Sequence, residues 1–128
     1  MKEIKKETIV YQACDGKEFV NKNDCMEYEA KVFKDINLKH FDINIPYGDD
    51  GLYSWIVYKV NSENEFNMLH AYLDYNYDDI YGIDGYEGNG WYIVQESEFA
   101  WADLRLMNDV VRDFTNMLAE IAENTLKF

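Results

Sequence analysis

An α+β fold is predicted for this 128-residue chain by three patterns. A hairpin signal at the N-terminus runs directly into a capped helix, two strand-then-helix units follow, and the end of the chain carries an unbroken helical stripe. The expected arrangement is a β-hairpin and helix with a βαβα continuation. About four strands in a mixed or antiparallel sheet are packed on one face by three helices, the last of them long, in a single domain over residues 1–128.

Residues 8–14, TIVYQAC, are β-branched and aromatic, and Asp15-Gly16 follows as the dipeptide that favours a type I′ turn before KEFV returns at 17–20. Asn21 with Asp24 three residues on resembles a capping box, and Val20 and Cys25 stand where a hydrophobic staple would form. Cys25, Tyr28, Val32, Phe33 and Ile36 then share one helical face, expected to close over the hairpin.

Residues 11–29, YQACDGKEFVNKNDCMEYE, carry Asp15-Gly16-Lys17, Phe19, a capping Asn21, Asp24-Cys25 and Tyr28-Glu29. This segment resembles the hairpin-plus-helix opening of small, mostly uncharacterised accessory proteins of bacteriophages and prophages of low-GC bacteria. The resemblance implies an origin in a phage or mobile element of a bacterial host. The charged start MKEIKKE and the lack of any run of about 18 apolar residues predict a cytoplasmic location in whatever cell makes the protein. It transfers no catalytic residue.

Pro46 and the run Gly48-Asp49-Asp50-Gly51 mark a loop over 37–52, with a short extended piece expected at Phe41–Ile45. YSWIVYKV at 53–60 is apolar on both faces and predicts an interior strand. Ser62 and Glu65 form a capping box for a helix with Phe66, Leu69, His70 and Leu73 on one face, ending near Tyr75. Residues 76–90 read as a Gly, Asp and Tyr loop, and Trp91–Gln95 as a strand. From Glu98 to about Leu126, with Ser97 as cap, Leu104, Met107, Val111, Phe114, Leu118 and Ile121 recur at alternating three and four residues. That helix is expected to cross the sheet diagonally, and its outer end is a candidate seam for a homodimer.

Charge locates the candidate site. The net charge is −13, and between Val60 and Leu104 the chain places ten carboxylates and no Lys or Arg over 45 residues. Such a surface repels phosphate backbones, so direct nucleic-acid binding is not expected, whereas a basic protein would be attracted and its encounter accelerated. The acids are interleaved with rings, and the partner-binding residues expected are Asp74, Tyr75, Tyr77, Asp78, Asp79, Tyr81, Asp84, Tyr86 and Glu87. The function expected is that of a non-enzymatic protein that binds, and inhibits or modulates, a nucleic-acid-handling host protein. Defence nucleases are one such class.

Other chemistries fit less well. Asp74 to Gly85 has acids or amide at positions one, three and five of a calcium loop, but Asp79 stands where Gly is required and Gly85 where a bidentate Glu is required. Cys14, Cys25, His40 and His70 match no zinc spacing, and the two cysteines are expected as a reduced pair of small apolar residues. The glycines from Gly85 to Gly90 precede a strand and lack a Lys-Ser/Thr, so they form a turn instead of a phosphate loop. No HExxH, nucleophile elbow or GxGxxG occurs. His70 is expected to be a core histidine, and neither cofactor nor catalysis is expected. The alternatives are an oligomerising interaction protein that works through its C-terminal helix, and a small metal- or ligand-binding module closed over residues 74–90.

Overall fold

The computed structural model describes Glu3 and residues 9–43, 53–97 and 100–125. The order is β1 (Tyr11–Gln12), β2 (Glu18–Phe19), α1 (Lys22–Ile36), β3 (His40–Ile43), β4 (Tyr53–Val60), α2 (Glu63–Asn76), β5 (Asp79–Gly82), β6 (Gly90–Ser97), β7 (Trp101–Leu106) and α3 (Met107–Thr125). The expected α+β class is the one observed. The pieces expected at Thr8, residues 44–52, Glu98 and Leu126 lie outside the described residues.

The hairpin turns on a different conformation from the one expected. Gly16 has φ +93°, but Asp15 is not among the positive-φ residues, so the type I′ geometry is not adopted. Gly16 N–H instead donates to Ala13 O at 2.9 Å, and Ala13 N–H to Lys17 O at 2.8 Å. This is the longer loop in which an ordinary turn is closed by one left-handed glycine. The hairpin is tied to α1 by Lys17, whose ammonium lies 4.7 Å from the centre of the Tyr28 ring, and by the Phe19–Tyr28 ring contact at 5.2 Å.

Two of the three expected helix starts are made. Asn21 accepts from Asn23 N–H at 2.8 Å and Asp24 N–H at 3.2 Å, and Ser62 Oγ accepts from Glu65 N–H at 3.1 Å. Glu65 reaches back one residue further than a standard box, to Asn61 N–H at 2.9 Å. Val20 stays 76 % exposed, so the staple with Cys25 buries little. Helix α1 ends at Asn37, whose φ of 46° suits a short amide side chain at a helix C-terminus.

Five strands, not about four, form the main sheet in the order β3-β4-β6-β7-β5, antiparallel except for the β5–β7 pair, while β1 and β2 form a separate ribbon. β4 is interior, as its apolar faces predict. Tyr58, Val60, Tyr92, Val94, Ala102 and Leu104 point to one face and pack with Phe33, Leu38, Phe66, Leu69 and Leu73 from the α1–α2 side. Phe33 stacks on Tyr72 at 4.8 Å and meets the edge of Tyr58 at 5.5 Å, which joins both helices to the sheet.

Two elements differ from expectation for related reasons. Asp79–Gly82 lies in the segment read as loop but pairs in parallel with Trp101–Leu104. Trp101–Leu106, read as the start of the last helix, is the strand that receives it and also pairs with β6. Alternation decides that segment, with Ala102 and Leu104 at 0 % exposure and Arg105 outward. Ser97 is consequently a buried strand residue and not a cap. Helix α3 begins at Met107 and has 19 residues, about 28 Å at 1.5 Å per residue. It does not join α1 and α2. Its first turns rise over the opposite face of the sheet, and no residue of it is buried.

Ring contacts populate that outer face. Strand alternation places all three tryptophans there, Trp55, Trp91 and Trp101. Phe41 packs on Trp91 at 5.4 Å, Lys39 and Lys59 flank the same indole, and Tyr81 meets Trp101 at 6.2 Å.

Candidate functional site

A cleft of about 550 Å³ among the described residues opens between the N-terminal half of α1, one side of α2 and the turn after β5. Phe66, 2 % exposed, lies at its base. Lys22 and Glu29 reach it from α1, His70 and Asp74 from α2, Tyr77 and Asp78 from the link to β5, and Asp84 with Gly85 from the turn beyond. The turn is fixed by backbone bonds. Asp78 N–H donates to Ala100 O at 2.9 Å and Ile83 N–H to Leu104 O at 2.9 Å, so the parallel pairing of β5 on β7 sets where Asp78 and Asp84 stand.

Among the described residues, four carboxylates and one lysine therefore line this opening. His70 Nδ1 and Asp74 Oδ2 are 3.0 Å apart across one helical turn. Glu29 is engaged at the wall, accepting from Cys14 Sγ and Cys25 Sγ at 3.3 Å each. Burial first, and then the contact with Glu29, pushes the Cys14 thiol up to about 12, and the same causes raise Cys25. Both cysteines are free thiols held protonated, which suits structure and not nucleophilic attack.

Beside the cleft, Tyr77 donates to Glu96 on β6, whose Oε1 is buried without a hydrogen-bond partner. Burial raises the Glu96 carboxyl above its ordinary 4.5, the Tyr77 hydrogen bond opposes this, and Asp42 adds to it. The folded protein thus holds this proton to higher pH than the unfolded chain does. Stability from this group is complete below the unfolded value and declines as pH rises through it toward the folded one. Glu96→Gln should accordingly raise the urea midpoint at neutral pH and lose that advantage near pH 4. A stabilisation independent of pH would mean that charge burial is not its cause.

No family model matches the chain, and neither curated proteins nor solved structures give a match. The side chains have to carry the reading.

Of the nine residues expected at a partner surface, Asp74, Tyr77, Asp78 and Asp84 converge on the cleft. The others scatter. Tyr75 sits beside Lys31 and Lys34 on another side of α2, and Asp79 and Tyr81 point to the outer face of the sheet because Ile80 between them packs into the core. Tyr86 turns inward onto Phe66 at 5.9 Å and bonds Asn89 through its hydroxyl. Glu87 is exposed, with its N–H donating to the Tyr92 hydroxyl at 3.2 Å. Glu29 and His70 were not expected there; the spacing of His70 to Asp74 was the available signal. His70 is partly exposed at the cleft and is not a core residue. His40, within the segment read as a loop, lies in β3 with Nδ1 2.6 Å from Leu38 O and its ring against Tyr58.

The arrangement offers several carboxylates to an organic cation. Among the described residues, no three His, Cys, Asp or Glu side chains are grouped to hold a metal ion. The described lining includes no Ser, Thr or Cys that His70 could activate. A guanidinium or ammonium would find carboxylates on several sides and the rings of Phe66 and Tyr77. No described helix is long and apolar enough to cross a membrane.

Proposed function

We propose that this chain is a non-enzymatic accessory protein, of the kind carried by phages and other mobile elements, that binds a basic protein by taking an arginine or lysine side chain into the acidic cleft. The observation that supports this most is the convergence of Glu29, Asp74, Asp78 and Asp84 around one opening where, among the described residues, Lys22 is the one cation opposing them. Carboxylates presented from several directions match the planar guanidinium fork, and the surrounding negative field steers a basic surface toward the opening. Host proteins that handle nucleic acids display such basic surfaces, and occupying one would compete with phosphates. Modulating or inhibiting a defence nuclease is the concrete version of this activity.

The test is capture of partners from a low-GC bacterial lysate, at low and high salt, by the wild type and by the Asp78→Lys, Asp84→Lys double variant. Both residues are exposed, so an unchanged melting profile is expected. A basic nucleic-acid-processing protein should be retained at low salt and lost with either high salt or the variant. Retention that ignores both would move the binding surface away from the cleft.

A further inference from the structure

Helix α3 presents an apolar face that the described residues leave about half exposed. Val111, Phe114, Met117, Leu118 and Ile121 are each 47–57 % exposed, in a helix that buries no residue. At 3.6 residues per turn these five and Val110 occupy an arc of about 120°. One edge of the arc, Val110, Phe114 and Met117, overhangs the outer face of the sheet and with Trp55 and Ile93 lines an apolar cleft of about 390 Å³. The other edge, Val111 and Leu118, faces away from the body. Contiguous exposed apolar surface of this kind marks a contact site.

The placement of charge selects the occupant. A protein of net charge −13 repels copies of itself over most orientations. On α3, however, Asp109, Glu120 and Glu123 lie on the back of the helix, with Arg112 among them and bonded to Asp109 at 3.4 Å. Asp113 flanks the edge that faces the sheet. The outward flank carries Thr115, Ala119 and Ala122, which are small and uncharged. A second α3 can therefore approach along Val111, Leu118 and Ile121 without setting carboxylate against carboxylate, and the small flank lets the two backbones come close. Val111, Phe114, Leu118 and Ile121 alternate by three, four and three residues, the spacing with which one helix packs on an identical one. The acidic cleft opens on the α1–α2 side of the sheet, opposite α3, so this contact leaves it free.

We infer that α3 is the interface of a two-fold homodimer, in which the apolar faces of two copies cover each other and the two acidic clefts point outward. Each assembly would then carry two cation sites, which raises apparent affinity for a target that is itself a dimer.

Sedimentation equilibrium of the intact chain, from low to high micromolar concentration, tests this. The expected mass tends to twice the 15.2 kDa of the chain as concentration rises, with little dependence on salt. Leu118→Glu and Ile121→Glu, on residues outside the sheet-facing cleft, should each keep the far-UV spectrum and weaken association about 100-fold or more. Glu120→Gln on the back of the helix should leave it unchanged. A monomer mass at every concentration, association that survives Leu118→Glu, or a face that takes only a different protein would overturn the dimer. The outcome is separable from that of the cleft, because Asp78→Lys with Asp84→Lys should abolish capture of a basic partner and leave the dimer mass intact.

Discussion

Gly82→Ala should destabilise the protein by about 3 kcal/mol or more, enough to remove much of the stability of an ordinary domain. Gly82 has φ +97°, a conformation an alanine adopts only at a cost. A Cβ placed there would stand 2.0 Å from Leu104 O, which is a backbone atom and not a movable side-chain tip. That oxygen also accepts from Ile83 N–H at 2.9 Å, so moving it breaks the end of the β5–β7 pairing. Since the same pairing positions Asp84, any Gly82→Ala protein that remains folded should also bind the proposed basic partner less tightly. Urea unfolding gives the first quantity. A loss below 1 kcal/mol would mean that β5 does not lie against β7 as described.

Phe66→Ala should cost about 3–5 kcal/mol. The ring is 2 % exposed and lies within 5.3 Å of Tyr92, 5.9 Å of Tyr86 and 6.1 Å of His70, measured between ring centres. It therefore joins α2 to β6 and to the turn that leads into β6. Deleting it removes buried apolar area and leaves a void at the base of the acidic cleft, where rigid neighbours cannot collapse fully. Phe66→Leu, which keeps most of the volume, should cost well under half as much. Equal losses for the two variants would show that the aromatic contacts, not the filled volume, hold the site.

Local signals were the legible part of this fold. Asn21 and Ser62 announce α1 and α2 because a cap is a property of four adjacent residues, and each caps as its sequence suggests. YSWIVYKV and the segment at Trp91 announce β4 and β6 through their aromatic and β-branched residues. β5 and β7 depend on each other and carry that mark only thinly, Ile80 and Tyr81 in one and Trp101 in the other. DIYG contains the Asp and Gly of a turn, and WADLRL lacks β-branched residues, so its Leu104 fits equally the three-and-four spacing that continues into Met107 and Val111. Only pairing with β6 on one side and β5 on the other settles it as strand.

The candidate site was half legible for the same reason. A run of acids without lysine or arginine is visible in one dimension, and Asp74, Tyr77, Asp78 and Asp84 follow from it. That Glu29 completes the opening from α1, about 45 residues earlier in the chain, depends on how α1 and α2 pack. That Tyr81 leaves it depends on the alternation of a strand that was not recognised. The unpartnered face of α3 also needed the structure, because a stripe read as packing on the sheet is in fact left uncovered along most of its length.

An amide chemical-shift titration of the isotope-labelled protein with an arginine-rich peptide tests the cationic role of the cleft most directly. Saturable, salt-sensitive shifts are predicted at Asp74, Tyr77, Asp78, Asp84 and Gly85 and in α1 around Glu29, and they should vanish in the Asp78→Lys, Asp84→Lys variant. Shifts spread evenly over the acidic surface, or concentrated on α3 and the outer face of the sheet, would contradict a cleft built to receive a cation.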